Sequence, residues 1–245
     1  MNVRLFFMAA MQLFLFSSCS SQINLQKTMD NAVKVITGSS SGKPTDTEVS
    51  GALKEALSLG ARHAATVASQ IDGFYKNPAI FIPFPPEAKE VENTVRTMGM
   101  NKQVDDFIRT LNRAAEEAAK EAAPIFLDAV KQMTIQDAWS ILRGDEYAAT
   151  NYLKKHTSDA LYVKFKPIVN KAIDKVQLTR AWEPIIKTYN KVPFVKKMNP
   201  DLKDYTTRKA IDGLFYLIGK EEEKIRKDPA ARVSDLLRKV FGYEG

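Results

Sequence analysis

Apolar residues return every third or fourth position along most of this chain, the spacing of one buried helical face, and strand-like alternation is scarce. The clearest case is residues 47–70, where Leu53, Leu57, Ala61, Ala64, Val67 and Ala68 share a face and Gly60, Ala64 and Ala68 stand four apart. Small residues at that interval let a second helix come close. Residues 102–122, with Val104, Ile108, Leu111, Ala115, Ala118 and Ala122, form a matching alanine-rich stripe and are the natural mate. Thr45-Asp46-Thr47-Glu48 reads as a capping box that opens the first of these helices. Between them, "NPAIFIPFPPEAKEVE" holds prolines 83, 85 and 86, which forbid a helix until the last of them starts one running to Met98.

The second half repeats this grammar. Thr134 to Asp137 predicts the cap of a short helix that stops at Gly144, residues 146–155 a further helix, and Ser158 the start of another through Val176. "APIFLDAVKQM", "KPIVNKAIDKV" and "EPIIKTYNKVP" each set Pro-Ile ahead of helically spaced apolar residues, so each proline is a first-turn residue or a kink. Their unequal offsets exclude a solenoid period. Residues 213–218, "GLFYLI", are apolar all round and predict a helix at the bundle centre. Glu222 with Arg226 and Glu223 with Lys227 are i,i+4 pairs on its solvated extension, and Asp228-Pro229 then caps a final helix ending at Phe241-Gly242. The expected fold is all-α, an irregular multi-helix bundle in a single domain with negligible strand.

The beginning of the chain follows different rules. One positive charge in residues 1–4, an apolar run over residues 5–16 broken only by Gln12, and Ser17-Ser18 together read as an export signal, too short to cross a bilayer as a helix. The chain's one cysteine comes next. "FSSC" resembles a bacterial lipobox, whose cysteine is acylated and becomes the new N-terminus, which assigns lipidation to Cys19. A plain secretory signal ahead of a free thiol is the alternative. A mature chain without another cysteine suits an oxidising compartment. The expected organisation is a lipoprotein signal peptide over 1–18, a lipidated tether over 19–46 and a helical domain over 47–245. The tether carries an amphipathic helix at 24–36 and a Gly/Ser linker. "GSSSGKP" within that linker is not a phosphate loop: three residues separate its glycines where four are needed, and Pro44 stands where a hydroxyl residue should.

Charge is distributed unevenly. Residues 19–150 hold 14 Lys and Arg against 17 Asp and Glu, while residues 151–245 hold 21 against 12. An exported chain meets phosphate mainly on lipid headgroups or lipopolysaccharide, and no nucleic-acid module is visible, so nucleic acid is not an expected partner. The candidate anionic-surface contacts are Lys196 and Lys197 in "VPFVKKMNP", with Arg226, Lys227 and Arg232 around Asp228-Pro229.

Catalytic patterns are sparse. His63 and His156 have no metal-ligand spacing, no Gly-x-Ser-x-Gly elbow occurs, and no metal or cofactor is expected. Asp105-Asp106 and Glu116-Glu117 invite an acid/base reading, but helical neighbours point about 100° apart, and a solvated face describes them better. Trp139, Tyr147, Tyr152, Tyr162 and Phe165 are core aromatics or the wall of an apolar pocket.

"DGFYKNPAIFIPFP", "NRAAEEAAKEAAPIFLDAVKQMTIQDAWSILRG", "AATNYLKKHTSDALYVKFKPIV" and "DGLFYLIGKEEEKIRKDPAARVSDLLRKVFG" together resemble the bacterial family catalogued as domain of unknown function 4197, over about residues 49–242. The resemblance implies an exported, largely helical, lipoprotein-like protein and carries over no catalytic residue. The expectation is a lipid-anchored envelope protein, not an enzyme, that binds or builds, with room for an apolar small ligand. Its rival is an envelope hydrolase with an unrecognised carboxylate site. Its membrane partner is reached through acylated Cys19, with anionic headgroups as further contacts and any protein partner unidentified. Ser20, where aspartate would favour inner-membrane retention in enterobacteria, points to the periplasmic face of the outer membrane. The soluble periplasm and the inner membrane are the alternatives.

Overall fold

Thr45 caps the first helix of the described residues. Its hydroxyl accepts the Glu48 N–H while the Glu48 carboxylate accepts the Thr45 N–H at 2.8 Å, a capping box that opens α1, Asp46–Ser69. The computed structural model describes residues 42–175, 178–193 and 201–243. The expected signal peptide, the helix at 24–36, Cys19, Lys196 and Lys197 lie outside the described residues.

After α1 the chain crosses an irregular stretch, makes a 3-10 turn at Pro86–Ala88 and continues into α2, Lys89–Thr97. Gly99, at φ +83°, turns it into α3, Asn101–Ala119. The order is then α4 Ala122–Gln132, α5 Ile135–Leu142, α6 Ala148–Lys175, α7 Leu178–Tyr189 and α8 Leu202–Lys227, followed by a 3-10 turn at Pro229–Ala231 and α9 Asp235–Phe241. The described residues hold no strand, and the fold is an all-α single domain, as the periodicity predicts.

α8 is the central helix, packed on α1, α3 and α6. Gly213, Leu214, Phe215 and Ile218 are buried, as "GLFYLI" predicts, but Tyr216 is 45% exposed, so this helix is not apolar all round. α1 touches α3, its expected mate, yet lies more extensively against α8. Gly60 explains the preference, since a Cβ there would stand 3.3 Å from the Glu221 Cβ on α8. Phe126 of α4 meets Phe215 edge-on, with ring centroids 5.6 Å apart.

Two expected helix starts are corrected. Residues 146–155 and 158–176 are not two helices but the single α6, because Thr157 and Ser158 donate their hydroxyls back to the carbonyls of Leu153 and Lys154 at 2.6 Å. Asp228 caps only the short 3-10 turn, accepting the Ala230 N–H, and Ser234 caps α9. Pro124 sits in a first turn, whereas Pro167 and Pro184 lie inside α6 and α7. Both interior prolines are exposed. On an exposed face, a carbonyl that loses its helical partner to an interior proline can bond water.

The irregular stretch at 70–85 is fastened to α3 by buried polar side chains. Glu116 Oε1 accepts the N–H groups of Phe74 and Tyr75 at 3.2 Å, and Asn112 pairs with both backbone polar groups of Ile82. Arg113 bridges Glu116 to Asp72, itself in the left-handed region at φ +68°. Phe74, Ile80, Ile82 and Phe84 are thereby held in the core.

Candidate functional site

A helix leaves N–H groups unpaired at its start and carbonyls unpaired at its end, and two such ends meet beside α8. Glu222, 8% exposed, accepts the N–H of Ala149 at 2.9 Å and both the N–H and hydroxyl of Thr150 at 2.8 Å, which satisfies the beginning of α6. One turn on, Arg226 donates to Glu222 and, at 2.8 Å, to the carbonyl of Ile141 at the end of α5. Arg232 closes α8 itself, donating to the carbonyls of Ile225 and Arg226. This acid–base pair therefore joins three helices. Behind it lies an apolar slot of about 20 Å³ between α1 and α8, walled by Leu53, Leu57 and Ile218, room for a single water.

In front of Arg226 the surface opens into a groove of about 530 Å³, within the usual range for ligand pockets. Leu142, Val240 and Phe241 form its apolar wall, and Lys43, Trp139, Arg143 and Tyr243 its rim. Trp139 is fixed by an Nε1–H bond to Asp46 at 2.7 Å, and the Arg143 guanidinium lies over its ring, 4.6 Å from the centroid. Lysine and arginine supply three charges to the lining, and no carboxylate among the described residues lines it. Glu222 answers Arg226, while Lys43 and Arg143 make no ion pair among the described residues.

Of the expected surface cations among the described residues, Lys227 is exposed and two arginines turn inward. Arg226 and Arg232 close helix ends, with the Arg226 side chain 16% exposed. Lys227 is 61% exposed, and hydrogen bonds to Glu146 and then Glu223 push its ammonium above the ordinary lysine range. Of the expected aromatics only Trp139 reaches the groove. Phe165 is core, the Tyr162 hydroxyl donates to Asp204, Tyr152 stacks on His156 and Tyr147 packs at Gly219. Lys43 and Arg143, a hundred residues apart, are the groove cations that helical spacing does not bring together.

The acidic pairs are committed elsewhere. Asp105 pairs with Arg96, Asp106 with Lys102 and Arg109, and Glu117 with Lys120. Glu116 is not on a solvated face: it is 5% exposed and bound to backbone. Hydrogen bonds hold Asp72 (first from Lys76), Asp106 (Lys102), Asp137 (Thr134) and Asp204 (Arg208) below the usual carboxylate range. A general acid requires a shift the other way. His63 pairs with Glu221 at 3.0 Å, and no three His, Cys, Asp or Glu side chains among the described residues gather as metal ligands would.

A family model described as "Protein of unknown function (DUF4197)" matches residues 43–242. No curated protein and no solved structure matches the chain.

Proposed function

The chain belongs to the DUF4197 family, and on that premise we propose that it is a lipid-anchored cell-envelope protein whose helical domain binds a ligand or partner on the periplasmic side. The observation that carries the binding half is the groove at the end of α5, a concave surface of cations, aromatics and aliphatic residues with no carboxylate among the described residues on its lining. Of the acidic neighbours that invite an acid/base reading, Asp105 and Asp106 are held by cations and Glu116 by backbone N–H groups. Binding uses such a surface directly, whereas hydrolysis requires an acid and a base facing one cleft.

The anchoring half rests on "FSSC" after an apolar run at the head of the chain. No helix among the described residues is long and apolar enough to cross a membrane. Attachment through diacylglycerol on Cys19, with the outer membrane as address, supplies the membrane contact in this reading. Intact-mass analysis of the protein from membranes tests it: loss of Met1 to Ser18 plus a diacylglyceryl adduct is expected, and Cys19→Ala should accumulate as precursor. An unmodified thiol, or a mature chain beginning elsewhere, overturns anchoring. Native purification followed by mass spectrometry of small molecules and co-purifying proteins tests binding.

A further inference from the structure

We propose that the groove beside α5 is a headgroup site for an anionic phospholipid, with the phosphate between Lys43 and Arg143 and the glycerol end against Phe241 and Tyr243. The inference rests on the envelope-binding reading above and gives that site its ligand chemistry.

Three observations support it. The first is unanswered charge. Arg96, Arg113 and Arg208 each hold a carboxylate, and Arg226 holds Glu222, but Lys43 and Arg143 face the groove without a counter-ion among the described residues. Asp46, the acid bonded to Trp139, is at the indole N–H and not on the groove lining. The second is preorganisation. Trp139 is fixed through its Nε1–H and carries Arg143 on its face. A guanidinium stacked this way keeps its N–H edge for phosphate oxygens, and little side-chain freedom remains to be lost on binding.

The third is shape and address. At about 530 Å³, with Leu142, Val240 and Phe241 along one wall, the groove is larger and more apolar than a bare phosphate needs. Tyr243, 39% exposed, stands at the rim, and tyrosine and tryptophan are the side chains that suit a headgroup layer. Lys43 follows Cys19 by 24 residues, so acylation there keeps the groove within a contour length of roughly 80 Å of the bilayer.

The test uses the mature protein in an uncharged detergent. The chain has two tryptophans, so Trp182→Phe leaves Trp139 as the reporter. Its fluorescence is titrated with dihexanoyl phosphatidylglycerol, dihexanoyl phosphatidylcholine, glycerol 3-phosphate and inorganic phosphate. Saturable quenching by phosphatidylglycerol, about 10-fold tighter than by phosphatidylcholine, is expected. It should weaken as ionic strength rises from roughly 0.05 to 0.5 M. Lys43→Gln and Arg143→Gln should each remove most of the preference while leaving the thermal melting curve in place.

Equal affinity for the two lipids overturns the proposal, as does a preference that neither Gln variant changes. Glycerol 3-phosphate or inorganic phosphate saturating at the same concentration as phosphatidylglycerol also overturns it, in favour of a free-anion site. A neutral ligand found in the groove would defeat the phosphate assignment and leave binding intact. A Cys19 without acyl chains would defeat the anchor and leave the titration interpretable.

Discussion

Asn112 pairs with Ile82 as one strand residue pairs with another: its Oδ1 accepts the Ile82 N–H at 2.9 Å and its Nδ2 donates to the Ile82 carbonyl at 2.8 Å. The same Nδ2 reaches the Ile108 carbonyl one turn back. Helix and irregular stretch are thus joined through one side chain that no solvent touches, at 0% exposure.

Asn112→Leu, close to isosteric, should therefore cost about 2–3 kcal/mol, because it leaves two buried backbone groups of Ile82 unsatisfied. Urea denaturation checks this through a lower midpoint at constant m-value. Asn112→Asp should also destabilise, since a carboxylate would face the carbonyls of Ile82 and Ile108. A midpoint unchanged in both variants would mean that this pairing does not hold the stretch.

Glu222 and Arg226 make a second prediction. Glu222→Ala strands the N–H groups of Ala149 and Thr150 and leaves a part-buried guanidinium without its acid. Breaking one side of such a pair costs about 3–5 kcal/mol. The double variant Glu222→Ala/Arg226→Ala should lose less than the sum of the single losses, because the second change removes the charge that the first exposed. Strict additivity in a denaturation cycle would contradict the coupling.

The α1–α9 contact is predicted to be sensitive to acid. A hydrogen bond from Lys239, then one from the Thr45 N–H, lowers the Glu48 carboxyl from 4.5 to about 2. A folded-state value below the unfolded one gives stability that is fully present above the unfolded value. That stability is lost as pH falls from about 4.5 towards about 2. Glu48→Gln, which keeps a capping-box side chain, should melt below the wild type at pH 7, and the gap should close over that window. A gap of constant size down to the lowest pH would exclude the Lys239 pair as its source.

Two glycines on facing helices should respond differently to alanine. At Gly213 a Cβ would fall 2.7 Å from Phe74 Cε1, whereas at Gly60 the nearest atom is 3.3 Å away. Alanine gains about 1 kcal/mol of helix propensity, but overpacking a core costs roughly 1–3 kcal/mol. Gly213→Ala should therefore destabilise, with Phe74→Leu partly relieving it, while Gly60→Ala should stay within about 1 kcal/mol of wild type. Equal losses at both sites in thermal melts would remove the distinction.

The helices were legible where local chemistry and tertiary packing agree. Thr45 with Glu48 and Thr134 with Asp137 are capping boxes both in spacing and in fact. Glu222–Arg226 is likewise readable as an i,i+4 pair, but its burial is not, since that depends on the starts and ends of α6 and α5 arriving beside it. The groove was illegible for a related reason. Lys43, Trp139, Arg143 and Tyr243 come from segments separated by nearly a hundred residues on either side, and no periodicity links them. Arg226 and Arg232 look like surface cations beside a Pro junction, yet orphan carbonyls at helix ends draw arginine inward.

Ser158 shows the same ambiguity in a form that one substitution can decide. A serine followed by helically spaced apolar residues has the form of an N-cap, but a cap accepts an N–H two or three residues ahead. Here the hydroxyl donates to the Lys154 carbonyl at 2.6 Å, as in the middle of a helix. Removing a true cap costs about 1 kcal/mol, whereas serine inside a helix is slightly worse than alanine. Ser158→Ala should therefore be neutral or raise stability by a few tenths of a kcal/mol. The amide protons of residues 158–161 should exchange as slowly as those one turn away on either side, because a continuous helix leaves no start within it. Loss of about 1 kcal/mol on Ser158→Ala, together with fast exchange at those amides, would restore two helices in place of α6.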